Sequence, residues 1–560
     1  MDDLLQEFRG YVEKFDKLQM RNSKENERGG VESVKELYEC AEKFMAHLVR
    51  DTVWDVHQKA EAVCALFEGE IWRRLRETYW DFEKKTVYLR YAAWFFMQEQ
   101  DDAVEECLKK MVSFIIPDLM GYIEEEELLY LIRQKSILSC LLLEEYDLAG
   151  RMGKELPEEG TLNQKLFSYI ESEKEKQKDS AIYLNDIIVD GNKIYFDYQV
   201  KGYVWRFFRA DRLVLEYENA GEIKTDKSML TAALLGSGMW LIALIFHADI
   251  YVGEIDKDFL ESLEEIEEGF RKTYPELDLH CDIKYDRAVS NKAKEGTILF
   301  FSGGADSTYA LSQCSGKRPV LVTLIGADMK LNACGAGVIT EDTKRAAEQG
   351  GGLEYRIIKS NMRTVYNEET LSEELHKRGA PEDLWWWDGF NHGMGTISSI
   401  LPLMKQLGNE IIFSSTYSER DGKVQWGGQP HLDGGMKAAG GRVQYSGFRL
   451  KRIEKIESLV QKRKEEGRVY KLRVCASETG QNCCRCENCM MAMLTLYALG
   501  EDAGVWGFHN LRFFEEMLKK KERAIAVSER KKVFWEEIVE MGEKNRVLKN
   551  SKIEGNHFRW

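Results

Sequence analysis

The chain has 560 residues, too many for a single hydrophobic core, so we expect roughly three or four domains. Its net charge of −16 argues against broad, nonspecific binding to nucleic acid or membranes, since both need a local surplus of Lys and Arg. The opening residues are acidic and amphipathic, unlike a signal or transit peptide. We therefore expect a cytoplasmic, multidomain protein that acts without a membrane, and a nucleic-acid partner is not favoured.

Residues 1–178 have the apolar spacing of helices, with Leu, Ala, Glu and Lys recurring at i, i+3 and i+4. The pattern predicts an all-α domain of antiparallel helix pairs, similar to a helical-repeat array but without a fixed period. Such a domain commonly binds a protein partner or packs on its neighbour. The charged stretch 171–180 is either a linker or the solvated end of a helix.

Residues 181–292 predict a small α+β domain. The stretch 181–200 alternates aromatic and β-branched residues with polar ones around an Asp-Gly turn, which predicts a β-hairpin. An apolar run, Met229–Phe246, approaches the length of a membrane span of about 18 residues. It contains Thr, Ser and Gly, and acidic sequence follows it, so we expect a buried core helix instead.

Predicted strands and helices alternate from residue 293 to residue 512, which indicates a doubly wound, mostly parallel sheet. The predicted strands are TILFFS, PVLVTLIGA, EYRIIKS and EIIFSST. Residues 513–560 have the charged, periodic pattern of a helical tail. The expected fold is thus an α/β domain, preceded by an all-α domain and a small α+β domain.

The first predicted strand of this sheet ends in the sequence SGGADST. Gly303 and Gly304 have no side chains, so their backbone N–H groups can approach phosphate oxygens closely. Hydroxyl groups lie on both sides, and the positive end of the following helix favours an anion. The hydroxyls belong to Ser302, Ser307 and Thr308. The stretch predicts a phosphate-binding loop, and an ordinary Gly-rich turn is the structural alternative.

The loop lacks the lysine of the G-x-x-x-x-G-K-[ST] motif, so it is not a Walker A loop. It contains a carboxylate instead, at Asp306. A carboxylate beside bound phosphate is repulsive unless a divalent cation or a proton lies between them. We therefore expect a divalent cation or a proton at Asp306.

Five of the 12 cysteines lie within residues 475–489. Four have the spacing C-x7-C-x2-C-x2-C, which predicts a closed zinc knot with four cysteine ligands. These four are Cys475, Cys483, Cys486 and Cys489. Four thiolates leave no coordination position for water, so the expected role is structural, with Cys484 as a spare thiol. An iron–sulfur cluster also takes four thiolates, and the spacing does not exclude it. A disulfide is not expected beside so many single cysteines.

Ser-Gly-Gly-x-Asp-Ser resembles the signature of the PP-loop ATP pyrophosphatases. The same loop followed by a four-cysteine knot of this spacing resembles the QueC-like branch of that family, the 7-cyano-7-deazaguanine synthases. Residues 389–401, 414–435 and 449–459 are similar, in order, to that family's substrate helix, substrate loop and Lys-rich helix. The resemblance covers about residues 293–500. The family's Tyr-Pro-Asp-Cys-Arg run reads GQPHLDG here, so its deazaguanine contacts do not carry over.

The resemblance implies an ATP-dependent ligase that forms C–N bonds and cleaves ATP to AMP and pyrophosphate. The family adenylates a 7-deazaguanine carboxylate, and ammonia or an amine then gives an amide or nitrile. The implied pyrophosphate contacts are Ser302, Gly303, Gly304, Asp306, Ser307 and Thr308. The resemblance also implies that Asp306 holds Mg²⁺. The candidate catalytic residues are Asp306, Ser307 and His392, the last as a general base or hydrogen-bond donor. The substrate candidates are Asn391, Arg420, His431 and Asp433. For His392, a helix-capping or surface role is the alternative.

Other functions stay open. Sulfur transfer to tRNA would need a reactive cysteine near the loop, such as Cys314 or Cys334, and the acidic charge weighs against it. A ligase that joins its activated small molecule to a protein partner would use residues 1–178 to hold that partner. Residues 181–292 resemble the leader domain of a wider QueC-like group, some members of which lie in antiviral-defence operons. A non-catalytic scaffold is least favoured because the loop is intact.

Two further stretches have a structural and a functional interpretation. The run Trp385–Trp387 could stack on a planar ring, although packing against the middle domain is favoured. The basic stretch Lys451–Arg473 is expected to be a solvated amphipathic helix, and a patch for an anion is the alternative.

Overall fold

A computed structural model describes most of the chain from residue 102 onwards. It describes residues 56–60, 102–142, 146–154, 160–178, 180–314, 316–331, 333–422, 424–520, 525–528, 531–548 and 551–559. The chain divides into two compact units, Met1–Asp179 and Ser180–Trp560.

The described part of the first unit is helical. Its helices are α1 (Asp102–Ile115), α2 (Glu125–Arg133), α3 (Lys135–Leu142), α4 (Tyr146–Gly153) and α5 (Gly160–Lys178). An ion pair between Lys165 and Glu127, at 2.9 Å, joins α5 to α2. The charged stretch that begins at residue 171 continues α5, so it is a helix end. Most of the predicted helical array before residue 102 lies outside the described residues.

The second unit is built on an eleven-stranded sheet. Its strands are β1 (Ala181–Asp190), β2 (Lys193–Lys201), β3 (Arg212–Glu218), β4 (Asp249–Asp256), β5 (Ile283–Val289), β6 (Thr297–Phe300), β7 (Val320–Ile325), β8 (Tyr355–Ser360), β9 (Glu410–Ser414), β10 (Lys437–Ala438) and β11 (Gly441–Ser446).

The parallel half of the sheet has the order β8-β7-β6-β9-β11. In chain order this is 3-2-1-4-5, the order of a doubly wound sheet. The connections leave β6 in two directions, so the topological switch point lies between β6 and β9. Open sheets of this kind bind ligands outside the carboxyl ends of the strands at that point.

The other half of the sheet comes from residues 181–292. β1, β2 and β3 form an antiparallel meander that begins with the predicted hairpin, while β4 and β5 run parallel beside β1. β3 pairs antiparallel with β8, so both halves share one sheet. Six of the ten pairings are parallel, which confirms the α/β, mostly parallel prediction. The predicted boundary at residue 292 does not separate two compact units, because pairing and core continue across it.

The helices of the second unit fill the connections between the strands. They are α6 (Lys227–Leu234), α7 (Trp240–Phe246), α8 (Lys257–Thr273), α9 (Ala305–Gln313), α10 (Ala336–Gln349), α11 (Met362–Val365), α12 (Glu368–Lys377), α13 (His392–Ser398), α14 (Met404–Leu407), α15 (Arg452–Glu466), α16 (Glu487–Ala498), α17 (Arg512–Lys520) and α18 (Lys532–Lys544). Two π-helical segments, Leu235–Met239 and Trp387–Asn391, lead into α7 and α13.

The apolar run forms α6, the first π-helical segment and α7. Among the residues that the structure covers, Lys227–Phe246 is the one helix long and apolar enough to cross a membrane, and its apolar window is completely buried. The prediction of a buried core helix is confirmed. The helix is kinked at Gly238, whose φ of 131° lies in a region that favours glycine.

The C-terminal residues form more than the predicted helical tail. After α17, strands β12 (Ile525–Ala526), β13 (Lys552–Glu554) and β14 (His557–Arg559) make a small antiparallel sheet, with α18 between β12 and β13. This segment shares a hydrophobic core with α15, α16 and the cysteine cluster. Strands of two or three residues leave too short an alternation to be detected in a sequence.

Candidate functional site

The Gly-rich loop begins directly after β6, at the switch point of the sheet. Gly303 has a φ of 75°, a conformation that a residue with a Cβ rarely adopts, and Gly304 caps the N-terminus of α9. The Ser307 hydroxyl accepts the Ser302 backbone N–H at 3.2 Å and lies 3.1 Å from the Ser302 hydroxyl. The loop therefore closes on itself through its two serines and directs backbone N–H groups and a helix N-terminus outwards.

Thr308 lies in the first turn of α9, below the loop. Its hydroxyl is buried and has no hydrogen-bond partner among the described residues. Its backbone N–H donates to the Gly304 carbonyl at 3.0 Å, as an ordinary helical bond. The predicted loop residues are thus brought together, and the Thr308 hydroxyl remains available to a ligand or a water molecule.

Two cations from α15 hold the loop carboxylate. Lys455 Nζ donates to Asp306 Oδ1 at 3.0 Å and to the Ser415 carbonyl, and the lysine side chain is fully buried. Arg452 Nη2 lies 3.3 Å from Asp306 Oδ2. Because Ser415 follows β9, the lysine bridges the two strands of the switch point. Two side-chain cations therefore balance the negative charge that the loop carries, whereas the sequence indicated only a divalent cation or a proton.

A third cation lies on the other side of the loop. The Arg473 backbone N–H donates to the Gly303 carbonyl at 2.8 Å, and its guanidinium donates to the Ser302 carbonyl. Burial lowers the pKa of Arg473, and the Asp328 and Asp342 carboxylates oppose that shift. The arginine thus places a charge beside the loop backbone, where phosphate oxygens would need it.

The basic stretch Lys451–Arg473 is therefore not only a solvated helix. Sequence reasoning missed Arg452, Lys455 and Arg473 as site residues. A signal was present: Lys455 lies within the apolar stripe that α15 buries, between Ile453 and Ile456. A lysine in a buried stripe needs a partner, which here is Asp306.

A cavity of about 230 Å³ opens beside the loop. Its polar walls come from α10, the stretch before the cysteine cluster and the loop itself. Lining residues include Gly303, Thr308, Asp342, Tyr470, Arg473 and His509. Apolar and charged side chains thus adjoin the backbone of the Gly-rich loop in one concave surface.

A second polar group surrounds His392, at the start of α13. Its Nε2 lies 3.8 Å from Asp328 Oδ1, and Trp387 Nε1 donates to the same carboxylate at 3.1 Å. Asp328 follows β7 and is 70% exposed, so the pair reaches solvent at the carboxyl edge of the sheet. Burial acts to lower the pKa of His392, but the bond to Asp328 and the charges of Asp328, Asp388 and Asp433 outweigh burial and raise it.

The other ring nitrogen of His392 belongs to a group of buried polar atoms without partners in the residues that the structure describes. His392 Nδ1, Trp426 Nε1 and Asp433 Oδ2 are buried without a hydrogen-bond partner in the described part of the chain. A Cβ on Gly428 would lie 3.0 Å from both His392 Nδ1 and Trp426 Nε1. Asp433 Oδ1 accepts the Tyr445 hydroxyl, and burial raises the pKa of Asp433 to about 8. The structure thus brings His392 and Asp433 together as a partly unsatisfied polar cluster.

Three other predicted substrate residues lie elsewhere. Asn391 is buried and donates to the Ser237 carbonyl at 2.7 Å, where it stabilises the kink of the apolar helix. Arg420 is tied to Glu454 and to the Arg449 carbonyl. His431 is exposed, and its backbone carbonyl packs against Gly269 of α8. None of these three side chains contacts the loop within the described residues.

The three tryptophans of the run Trp385–Trp387 have different environments. Trp386 is fully buried and stacks on Phe390 at 5.9 Å. Trp387 bonds Asp328 and lies 5.6 Å from the His392 ring, edge to face. Trp385 is 49% exposed. Packing therefore accounts for Trp386, while Trp387 forms part of the His392 cluster.

The four predicted cysteine ligands converge on one point. Their sulfur atoms all lie within 4.8 Å of one another, with Cys475 to Cys486 at 3.7 Å and Cys483 to Cys489 at 4.0 Å. A tetrahedral ion with Zn–S bonds of about 2.3 Å places its sulfurs about 3.8 Å apart. The cluster could therefore hold a metal ion such as zinc, and these distances fit one ion better than a multi-iron cluster, which spreads its ligands further.

Asn482 connects the cysteine cluster to the segment that contacts the Gly-rich loop. Its side chain accepts the Val474 N–H at 3.0 Å and donates to the Leu472 carbonyl at 2.7 Å. These two residues flank Arg473, which contacts the loop. The spare thiol, Cys484, is fully buried and donates to the Asn482 carbonyl at 3.6 Å. A metal ion in the cluster would thus fix the segment that positions Arg473.

The two cysteines proposed for sulfur transfer do not meet the loop. Cys314 lies at the C-terminal end of α9, opposite to the loop, and burial raises the pKa of its thiol. Cys334 is exposed and donates to the Glu478 carbonyl at 3.3 Å. A nucleophilic thiol needs a lowered pKa, so the raised pKa of Cys314 weighs against that alternative.

No protein-family model, curated protein or solved structure matches this chain.

Proposed function

We propose that residues 293–512 form a PP-loop ATP pyrophosphatase of the QueC-like type, which activates a carboxylate by adenylation. One observation carries the proposal: a Ser-Gly-Gly-x-Asp-Ser loop at the switch point of a doubly wound sheet, flanked by Arg452, Lys455 and Arg473. Three cations beside one carboxylate leave a surplus of positive charge for a polyphosphate. The cavity next to the loop gives room for the nucleoside part of ATP.

In this proposal a carboxylate oxygen of the substrate attacks the α-phosphorus of ATP, and the bond to the β-phosphate oxygen breaks. Pyrophosphate leaves with the negative charge, and the substrate becomes an acyl adenylate. The loop N–H groups and the Ser307 hydroxyl hold the leaving pyrophosphate, while Arg452 and Arg473 balance its charge. The protein contributes position and charge, and no covalent step involves the chain.

Mg²⁺ fits the loop as an ion that the nucleotide brings. Mg²⁺ in phosphate-binding sites takes one or two carboxylates together with phosphate oxygens, and Asp306 offers one carboxylate. Both of its oxygens already face cations in this structure, so Asp306 alone does not make a metal site. When bound, the ion would add positive charge at the phosphates. Zinc, in the cysteine cluster, would be structural.

The His392 cluster is the proposed place for the acyl substrate. His392 with a raised pKa favours a hydrogen-bond donor to a carboxylate over a general base. The Asp433 carboxyl, which stays protonated up to a pKa of about 8, and Trp426 Nε1 add two polar groups that lack partners in the described part of the chain. The Trp426 ring lies 5.1 Å from the His392 ring. A planar heteroaromatic carboxylate, such as a 7-deazaguanine, matches these groups. Ammonia or an amine would then displace AMP from the adenylate.

Exchange of labelled pyrophosphate into ATP tests the proposal. We expect exchange that depends on Mg²⁺ and on a heteroaromatic carboxylate, with 7-carboxy-7-deazaguanine as the first probe. Ser307→Ala should lower the exchange rate by about 100-fold, since it removes a donor to the leaving group. Ser312→Ala is the matched control, because Ser312 is buried in the same helix and donates only to the Tyr309 carbonyl. Equal rates in the two variants would refute the role of the loop.

A further inference from the structure

The C-terminal helix α18 packs against the helix that supplies the phosphate-loop cations. Glu537 of α18 is buried, and its Oε2 accepts the Ile453 backbone N–H at 3.2 Å. Ile453 is the second residue of α15, so its N–H is one of those that a helix leaves without an internal partner. Glu537 therefore caps α15 from outside, where a carboxylate also meets the positive end of the helix dipole.

The first residue of α15 is Arg452, and a ring of α18 supports it. The Arg452 guanidinium lies 5.2 Å from the ring centroid of Phe534 and 3.3 Å from Asp306. Phe534 is buried and stacks on Tyr417, which follows β9, at 5.1 Å. The guanidinium thus lies between an aromatic face and the loop carboxylate. A flexible side chain gains a defined position from such a pair of contacts.

The C-terminal segment is fixed at a second place. The Glu487 carboxylate, in the first turn of α16, accepts Trp535 Nε1 at 3.0 Å and the Ser528 N–H at 2.9 Å, and it pairs with Lys531 at 3.2 Å. Glu487 lies between the cluster ligands Cys486 and Cys489. One segment therefore bridges the helix that starts at the cysteine cluster and the helix that carries Arg452.

We propose that Phe534 and Glu537 are positioning residues of the phosphate site, which set the first turn of α15 and hold the Arg452 guanidinium at the loop. The inference rests on the proposed function of the loop and extends that site to a segment that the sequence indicated only as a charged tail. A small cavity of about 30 Å³ lined by Ala305, Arg452, Phe534 and Glu537 marks the joint between α18 and the loop. Glu537 Oε1 faces this joint without a partner in the described part of the chain.

Calorimetric titration of the full-length protein with magnesium pyrophosphate tests the inference. Phe534→Leu keeps an apolar side chain but removes the ring, and we expect its dissociation constant to rise roughly 3- to 10-fold. Glu537→Ala should have a similar effect, and Glu537→Gln, which keeps an acceptor for the Ile453 N–H, should restore most of the binding. Glu536→Gln is the matched control, because Glu536 precedes Glu537 on α18 and its side chain is exposed.

A double-mutant cycle separates positioning from general loss of structure. In an Arg452→Met background, Phe534→Leu should have no further effect on pyrophosphate binding, because the guanidinium that it holds is gone. An undiminished effect in that background would overturn the inference, and so would unchanged binding in Phe534→Leu and Glu537→Ala. If the unaltered protein does not bind magnesium pyrophosphate, the proposed function fails and the inference fails with it.

Discussion

Asp306 and Lys455 form a buried ion pair in which the aspartate has a second cationic partner but the lysine has one carboxylate. This difference predicts different effects for substitutions at the two positions. Lys455 is fully buried, with one carboxylate and one carbonyl as partners. Asp306 has a second cation, Arg452, at 3.3 Å. Asp306→Asn therefore leaves a buried lysine without a counter-charge, whereas Lys455→Met leaves the aspartate with an arginine.

The magnitude follows from the geometry. At 3.0 Å and an effective dielectric constant of about 20, the attraction is roughly 5 kcal/mol, and removing one partner of a buried pair typically costs about 3–5 kcal/mol. We expect Asp306→Asn to destabilise α15 by about that amount and Lys455→Met by less. The double variant Asp306→Asn/Lys455→Met should be more stable than Asp306→Asn alone, because it removes the stranded charge.

Hydrogen exchange of the amides in Arg452–Glu466 is the appropriate assay. It reports the local opening of α15, whereas a single unfolding midpoint would mix the two compact units of the chain. Protection should fall most in Asp306→Asn and recover in the double variant. Protection in the double variant that is lower than in Asp306→Asn would refute the buried pair as the source of the effect.

Three further predictions concern the other clusters. Elemental analysis should find one zinc ion bound per chain. Cys486→Ser should lose the zinc, whereas Cys484→Ser should keep it. Zinc retained by Cys486→Ser would contradict the assignment of the four ligands. Gly393→Ala should lower the local stability of α13 by more than about 3 kcal/mol, measured by hydrogen exchange, since its Cβ would lie 1.4 Å from Asp433 Oδ2. Gly337→Ala, with open space around its Cβ, should leave the stability of α10 unchanged or raise it. Because the pKa of Asp433 is raised to about 8 from 3.8, the folded state holds its proton more tightly. The free energy of unfolding of the wild type should therefore fall, relative to that of Asp433→Asn, as the pH rises from about 4 to about 8, with no further fall above pH 8. A difference between the two free energies that does not change with pH would contradict the raised pKa.

Four of the five strands in the parallel half of the sheet could be predicted because they are apolar runs of four to six residues between clear helical patterns. The fifth, β11, was not predicted, because its sequence GRVQYS is mostly polar. The loop and the cysteine ligands were predictable for a related reason, since each motif is local in sequence. The joint between β3 and β8 was not, because pairing between segments about 140 residues apart leaves no local pattern.

The cationic residues of the site could not be predicted for the same reason, since their partners are distant in sequence. Lys455 and Asp306 are 149 residues apart, and only the folded chain shows that they touch. The buried stripe of α15 gave a hint at Lys455, but nothing near Phe534 or Glu537 indicated that a tail segment reaches the loop. Conversely, Asn391 and His431 lie in stretches that look like substrate segments, yet one stabilises a helix kink and the other is exposed at the surface.

In the function that we propose, the loop directs cleavage of ATP between the α and β phosphates. The most direct measurement is turnover of α-labelled ATP with Mg²⁺ and 7-carboxy-7-deazaguanine, with and without ammonia, resolving AMP from ADP. We expect AMP to appear only with a carboxylate substrate and to be lost in Ser307→Ala. ADP as the labelled product would contradict it, because cleavage would then fall between the β and γ phosphates.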